Sequence, residues 1–390
     1  MIARGRLNIR FSELLKAAGA IGKNAVGLSK RQSRFREQSL PCLSVRTGFD
    51  LLLSALKLQP GSEILVTNIN IPDMFAIMDE HGLKVIPLAV DKDTLGISAD
   101  QLKDAITPNT KLLLITHLFG AIMSTDALLK EAKAHGLFVV EDCAQAYNGV
   151  YQGNTRSDVV MFSFGLIKTN TALTGAVLHF NHETLFAEVS SLNSQLPVQP
   201  AKIYFKKILN ATLIKLFVKR LPLQLAYTLC KRSNKDFDAL LSGFTRGFPG
   251  AALMRKIRHQ PCAANLLMLH HKYSQDISRQ IQQRMALAAQ LLQGLNERYL
   301  IGAANAQHTY WVLPIDVPDP VSLVDKLRGE GFDATSKASS LVKVKDENPS
   351  FGMENELMLE NLIYLPMDIA MGENKAKQLN QLLLAILPNP

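Results

Sequence analysis

From about Thr47 to Phe180 the chain alternates short β-rich apolar runs with amphipathic stretches of helical spacing, a rhythm that predicts α/β architecture around a largely parallel sheet. Strands are expected at 63–67, 84–88, 111–116 (KLLLIT), 137–141 (LFVVE) and 159–162 (VVMF). Helices are expected at 51–58 and at 72–81, the latter with Pro72 at its start and Gly82 beyond its end. A Ser98/Gln101 capping-box pattern opens another through Ile106, and 124–135 forms one closed by Gly136. After Phe180 the rhythm is lost. Residues 192–258 are basic and apolar with helical pieces, as an insertion would be, and 262–299 read as one long polar-striped helical segment suited to bridging two domains. The runs 309–316 (TYWVLPID), 322–331 and 362–366 (LIYLP), with a closing helix, predict a small α+β C-terminal domain. The resulting division is a basic N-terminal arm at 1–45, a large α/β domain at 46–262 containing the insertion, and an interdomain helix with the small domain at 263–390.

Composition bounds this picture. An apolar fraction of 47% in 390 residues, with 20% charged, is ordinary globular usage and excludes a disordered or collagen-like chain. The net charge of +9 is unevenly placed. Residues 1–37 carry +7 and residues 201–258 carry +11, so the remainder is acidic. No recognised nucleic-acid module accompanies the positive charge, and no nucleic-acid partner is expected. Cys42, Cys143, Cys230 and Cys262 form neither a CxxC nor a Cys/His metal spacing; they read as reduced core thiols, with no metal site. Charges interrupt even the richest apolar stretch, 203–229, and the basic N-terminus has no uninterrupted apolar h-region, so a cytoplasmic location is expected.

In open α/β sheets ligands bind at the carboxyl ends of strands, and three polar candidates occupy such ends: His117, Asp142 and Ser163. The most informative element is FSFGLIKTNTALTGAV, which sets Lys168 in a Ser/Thr/Gly/Asn-rich turn between two apolar strands. A lysine held in a partly apolar pocket has a lowered pKa and can form a Schiff base with an aldehyde. Pyridoxal phosphate needs that lysine, an acid facing its pyridine nitrogen and donors for its phosphate. Lys168 can supply the amine, Asp142 the acid, and Ser163 with the Thr47-Gly48 turn the donors, the more so if Gly48 precedes a helix starting at Phe49.

With these residues the chain resembles the DegT/StrS-type sugar aminotransferases of the fold type I pyridoxal-phosphate superfamily. The resemblance rests on the ordered set HLFG (117–120), HGLFVVEDCAQA (135–146) and FSFGLIK (162–168), and covers roughly 46–180 well and the C-terminal domain loosely. It implies that Asp142 pairs with the pyridinium nitrogen, that Gln145 lies beside the ring, that Ser163 binds phosphate and that Lys168 holds the cofactor. His117 is carried as a further cofactor contact. The resemblance also implies a homodimer, glutamate as donor and a keto nucleotide sugar as acceptor. Where relatives carry Gly-Thr for the phosphate this chain has Gly48-Phe49, and where they place an aromatic residue over the ring it has Ile71. The sugar-reading motif expected near 258–261 is not legible. Two readings of the insertion stay open, a lid or dimer-packing element and an interfacial helix lying on anionic lipid, aided by 1–37. The latter brings in a long-chain or lipid-linked aldehyde or ketone as an alternative acceptor. A non-catalytic cofactor-binding regulator or scaffold is the third alternative.

Overall fold

The computed structural model describes residues 1–21, 35–245, 248, 252–337, 341–344 and 355–387. Seven strands form the main sheet in the order Ser39–Cys42, Ala176–Phe180, Val159–Ser163, Phe138–Asp142, Thr110–Thr116, Glu63–Thr67 and Lys84–Leu88. The last five run parallel; Ala176–Phe180 is antiparallel to its neighbour, and Ser39–Cys42 antiparallel to that. This is the mostly parallel α/β sheet that the sequence pattern predicts. Its strands are apolar on both faces because both faces are covered. Leu112 and Leu114 pack with Phe49, Leu52 and Met74 under the helices Val45–Leu56 and Pro72–Glu80. Leu113 and Ile115, pointing the other way, pack with Leu102, Leu128 and Leu129 of Ala99–Ala105 and Asp126–Ala134.

The first helix of this sheet domain is longer at its start than expected. It runs Val45–Leu56, with Ser44 as N-cap accepting from the Thr47 amide at 3.2 Å, so Thr47 and Gly48 lie inside its first turn. The strand Ser39–Cys42 was not expected within an arm; it contains Pro41, which an edge strand tolerates. The rest of the described arm is also built in. Ile2 pairs with Phe332, and Arg4 donates to Asp238 and Asp333, both at 2.7 Å. Glu13 of the helix Phe11–Gly19 meets Lys272 at 2.9 Å. Residues 22–34 lie outside the described ones.

The segment expected as one helix at 262–299 is two, Ala263–Tyr273 and Ser278–Leu292. The break has a local cause: Asp276 Oδ1 accepts from both the amide and the hydroxyl of Ser278 and restarts the chain as a helix. The C-terminal part pairs Leu313–Asp316 with Leu362–Leu365 antiparallel, over a separate core that includes Leu291, Leu327 and Leu383.

The insertion is helical, as Ala201–Phe217, Arg220–Arg232, Phe237–Thr245 and Leu253–Ile257. Tyr204, Ile208, Ala211 and Ile214 pack inward against Leu14 and Ala17, while Leu209, Leu213, Leu225 and Leu229 stay exposed among lysines. Asp238, from the third of these helices, accepts from Arg4, Arg328 and Thr335 at 2.7–2.9 Å and ties the insertion to both ends of the chain. Among the described residues no helix is long and apolar enough to cross a membrane. All four cysteines are buried and unbridged.

Candidate active site

The carboxyl ends of adjacent strands bring three predicted residues to one place. Asp142 and Ser163 are the last residues of Phe138–Asp142 and Val159–Ser163, and Lys168 sits on the tight loop that follows. That loop is closed by Phe164 N to Gly175 O (2.9 Å), Lys168 N to Gly165 O (3.1 Å) and Ala172 N to Phe164 O (2.9 Å). Gly165 keeps the space between Ser163 and Lys168 open: a Cβ there would lie 3.5 Å from Ser163 Oγ and 3.7 Å from Lys168 Cγ.

Lys168 opens on a cavity of about 270 Å³ between the N-terminal segment, the insertion and the C-terminal part. Burial of its ammonium lowers its pKa to about 8; the attraction of Asp142 opposes this and the charge of Arg46 adds to it. Trp311, the single tryptophan of the chain, lies with its ring centroid 4.1 Å from Lys168 Nζ and its indole N–H on Ile167 O at 2.8 Å. Asp142 is buried, and that burial holds its carboxyl above the usual range against the pull of the Ala144 amide and Lys168. Oδ1 takes the Ala144 amide at 2.9 Å, while Oδ2 makes no hydrogen bond among the described residues. A buried carboxylate oxygen without a donor fits a protonated ring nitrogen.

Four other predicted residues, Thr47, Gly48, His117 and Gln145, make contacts other than those expected of them. Thr47 donates its hydroxyl to Ile257 O (2.8 Å), its amide is taken by Ser44, and the Gly48 amide donates to Ser44 O (3.1 Å). Neither offers a donor for phosphate. Gly48 instead lets the helix lie against the sheet, since a Cβ there would meet Leu178 at 2.5 Å. The first two amides of the helix, Val45 and Arg46, precede its intrahelical ladder. Both ring nitrogens of His117 are engaged, Nε2 with Glu141 at 2.9 Å and Nδ1 with the Met123 amide at 3.2 Å, so no hydrogen bond to a cofactor is left to it. Gln145 holds the backbone of the following loop, accepting from the Phe119 amide at 2.9 Å. Ile71 ends the short strand Ile69–Asn70 and is the N-cap of Pro72–Glu80.

His117, Glu141 and Cys143 bring their ligating atoms within 4.8 Å of one another. Glu141, however, already accepts from His117, Tyr151 (2.6 Å), Ser157 and the Asn154 amide (2.8 Å), and burial raises the Cys143 thiol well above its ordinary range. The trio is a satisfied buried network.

Residues not anticipated from the sequence complete the surroundings. Arg46 pairs with Asp73 and lies 5.5 Å over the Phe248 ring, with Lys207 of the insertion 5.6 Å over the same ring. Burial, followed by repulsion from Arg46, lowers the Lys207 pKa. Cations gathered beside a helix N-terminus are chemistry suited to a phosphate. The second feature is the loop 307–312, which lies along 119–122: Thr309 N donates to Gly120 O (2.7 Å) and Ile122 N to Gln307 O (2.8 Å). Gly120, the last residue of HLFG, makes this possible, because it has φ +100° and a Cβ there would meet Trp311 N at 2.5 Å. Gly120→Ala is therefore expected to push Trp311 off Lys168, costing about 1–3 kcal/mol from backbone strain and more from the clash. Trp311 fluorescence and thermal unfolding check this; an unchanged emission spectrum with unchanged stability contradicts it.

Comparison with known proteins agrees with this geometry. Residues 37–213 match the DegT/DnrJ/EryC1/StrS aminotransferase family. A GDP-perosamine synthase of Caulobacter vibrioides is 30% identical over 167 residues, 41% of this chain and 44% of that protein. The chain thus matches less than half the length of this curated relative. Among solved structures, Helicobacter pylori PseC, an aminotransferase of pseudaminic acid biosynthesis, superposes with a TM-score of 0.69 at 14% identity, covering 99% of both chains. The sugar aminotransferase CalS13 of Micromonospora echinospora gives 0.66 at 16% identity over 99% of this chain and 100% of that one. An E. coli GDP-4-keto-6-deoxy-D-mannose-3-dehydratase with bound hydrated PLP gives 0.68 at 15% identity over 98% and 99%. These likenesses show a shared fold across essentially the whole chain, and the sequence match to the DegT/DnrJ/EryC1/StrS aminotransferase family extends over residues 37–213, somewhat less than half of it.

Proposed function

We propose that the protein is a pyridoxal-phosphate-dependent aminotransferase that moves an amino group from an amino acid, glutamate by family resemblance, to an oxo group of a sugar nucleotide or related biosynthetic intermediate. The observation that carries this is a lysine with a pKa lowered to about 8, on the loop after one strand, within electrostatic reach of a buried carboxyl at the end of the neighbouring strand, one of whose oxygens takes no donor among the described residues. The curated relative's name and the family match support it. So does Lys168 itself, which favours amine transfer over the dehydration named for one structural neighbour.

When bound, pyridoxal phosphate supplies an electron sink next to the donor's Cα. Lys168 Nζ is the amine that would hold the cofactor and, when free of it, the base that would take the proton from the donor's Cα. A pKa near the working pH suits both tasks, because the amine is neutral for a useful fraction of the time. Asp142 Oδ2 keeps a proton on the ring nitrogen. Ser163 Oγ, the Val45 and Arg46 amides and the nearby Lys207 hold the phosphate. Trp311 covers Lys168 and keeps water from it. By the same resemblance the working form is a homodimer.

A second acceptor class has its own observation. Ile214, Phe217, Val218, Leu223, Leu241 and Phe244, all from the insertion, line the cavity that holds Lys168. A long-chain or lipid-linked aldehyde would find its apolar body accommodated there, with the exposed leucines and lysines of the same helices resting on anionic lipid. Turnover of the loaded enzyme on a keto nucleotide sugar and on a long-chain aldehyde, with and without anionic vesicles, separates the two. Sugar turnover indifferent to vesicles is expected for the first reading; aldehyde turnover that vesicles stimulate selects the second. A regulator without transaminase activity would bind the cofactor and fail to react with glutamate.

A further inference from the structure

The cavity holds a guanidinium with no acid beside it. Arg4 pairs with Asp238 and Asp333, Arg6 with Asp368 at 2.9 Å and Lys337 with Asp236 at 2.6 Å, whereas Arg284 meets no carboxylate among the described residues. Its Nε donates to Tyr310 O at 2.9 Å and its Nη2 to Tyr310 O and to Trp311 O, the latter at 2.6 Å. Nη1 makes no hydrogen bond among the described residues. His308, which lies within reach of this charge, does not compensate it: it is pushed to about 4 by burial and then by the charge of Arg284, and so is neutral. Burial lowers Arg284 itself to about 10, leaving it a cation at neutral pH.

The same helix shows which way this side chain looks. Gln280, four residues earlier and on the same face, donates to Thr169 O at 3.3 Å, next to Lys168. Trp311 joins the two cations, its ring over Lys168 Nζ and its carbonyl on Arg284 Nη2. A buried cation is tolerated when an anion arrives to pair with it.

We propose that Arg284 anchors a carboxylate of the amino donor, using the Nη1 edge that its backbone contacts leave free. The inference rests on the aminotransferase reading and names the donor-binding group of that site. A monoanionic carboxylate matches a single unpaired guanidinium, with planar N–H donors meeting planar oxygens. A diphosphate would require further unpaired cations, and Arg4, Arg6 and Lys337 are already taken.

Trp311, as the only tryptophan, gives a readout that needs no turnover. The protein without cofactor is titrated with glutarate, which carries the donor's two carboxylates and no amine, with its neutral diamide, and with GDP. Saturable change in Trp311 emission with glutarate but not the diamide is expected, weakened about 10- to 100-fold in Arg284→Gln, the loss of one charge-assisted pair. Arg284→Lys, which keeps the charge and gives up the fork, is expected to lie between and guards against a misfolded glutamine variant. Wild-type glutarate affinity in either variant overturns the proposal, as does a response to GDP rather than glutarate. In the loaded enzyme the half-reaction with glutamate should suffer in Arg284→Gln while that with 1-phenylethylamine, which has no carboxylate, keeps its rate; equal losses would make Arg284 merely structural. Failure to label Lys168 with cofactor would sink the aminotransferase reading, and the glutarate titration is independent of it.

Discussion

Lys168→Ala is expected to abolish covalent attachment of pyridoxal phosphate and to slow the half-reaction with glutamate by at least about 10²–10⁴-fold, the usual contribution of a positioned general base. The loss should exceed that figure if the amine's covalent role counts as well. Among the described residues no other lysine is placed to stand in. Lys207 is held beside Arg46 and Phe248, and the cavity's other lysine, Lys337, is bound to Asp236. The wild-type protein should carry a pH signature of the same residue. A pKa lowered to about 8 means that the neutral, nucleophilic amine grows about tenfold per pH unit below 8 and levels off above it. Capture of pyridoxal phosphate by the cofactor-free protein should follow that curve. An ordinary solvated lysine would keep gaining rate past pH 10. Continued increase there would mean that the lysine is not desolvated in the working protein.

Asp142→Asn is the second large effect. Asparagine keeps the shape and the Ala144 hydrogen bond at Oδ1 but cannot hold a proton on the ring nitrogen, so the electron sink is weakened at the donor's Cα. A fall on the order of 10³-fold in the half-reaction is expected, comparable to removing a preorganised electrostatic partner. Cofactor binding should survive, because Lys168 and the phosphate donors are untouched. The split between retained binding and lost rate distinguishes this role from a structural one. Equal rates for the two proteins would contradict the assignment.

How much of this was legible in the sequence differs by element for physical reasons. Asp142, Ser163 and Lys168 could be read because each follows an apolar run whose length fits a buried strand, so the polar residue after it falls on the sheet's carboxyl edge. The helix beside this edge starts at Val45, four residues before the start expected at Phe49. Thr47-Gly48 looks like a turn, yet Ser44 is the cap, and Gly48 is needed for close packing on Leu178 rather than for a bend. The edge strand Ser39–Cys42 has four residues and a proline, too little for a pattern. The break at 274–277 goes with one aspartate, Asp276, whose Oδ1 takes the amide and hydroxyl of Ser278, and which resembles ordinary polar surface in a striped helix. His117 was placed at the right strand end, but its partner Glu141, one residue before Asp142, points to the opposite face and draws it into the buried network. Trp311 reaches Lys168, and Arg284 reaches the Trp311 carbonyl, from more than a hundred residues away in the chain, which no local pattern shows.

The insertion is where pattern and packing met halfway. Its helical spacing was visible, and its inner face does pack on the helix Phe11–Gly19. That the same helices also form a wall of the cavity around Lys168 follows from Asp238 gripping Arg4, Arg328 and Thr335, a meeting of three distant parts of the chain.

The most direct measurement is the visible absorption of the purified protein supplied with pyridoxal phosphate, before and after glutamate, followed by borohydride reduction and peptide mapping. The account predicts a yellow protein that glutamate bleaches, and a reduced cofactor fixed to the peptide containing Lys168. A protein that takes up no cofactor, or one in which borohydride fixes it to another lysine, would contradict the assignment of this site.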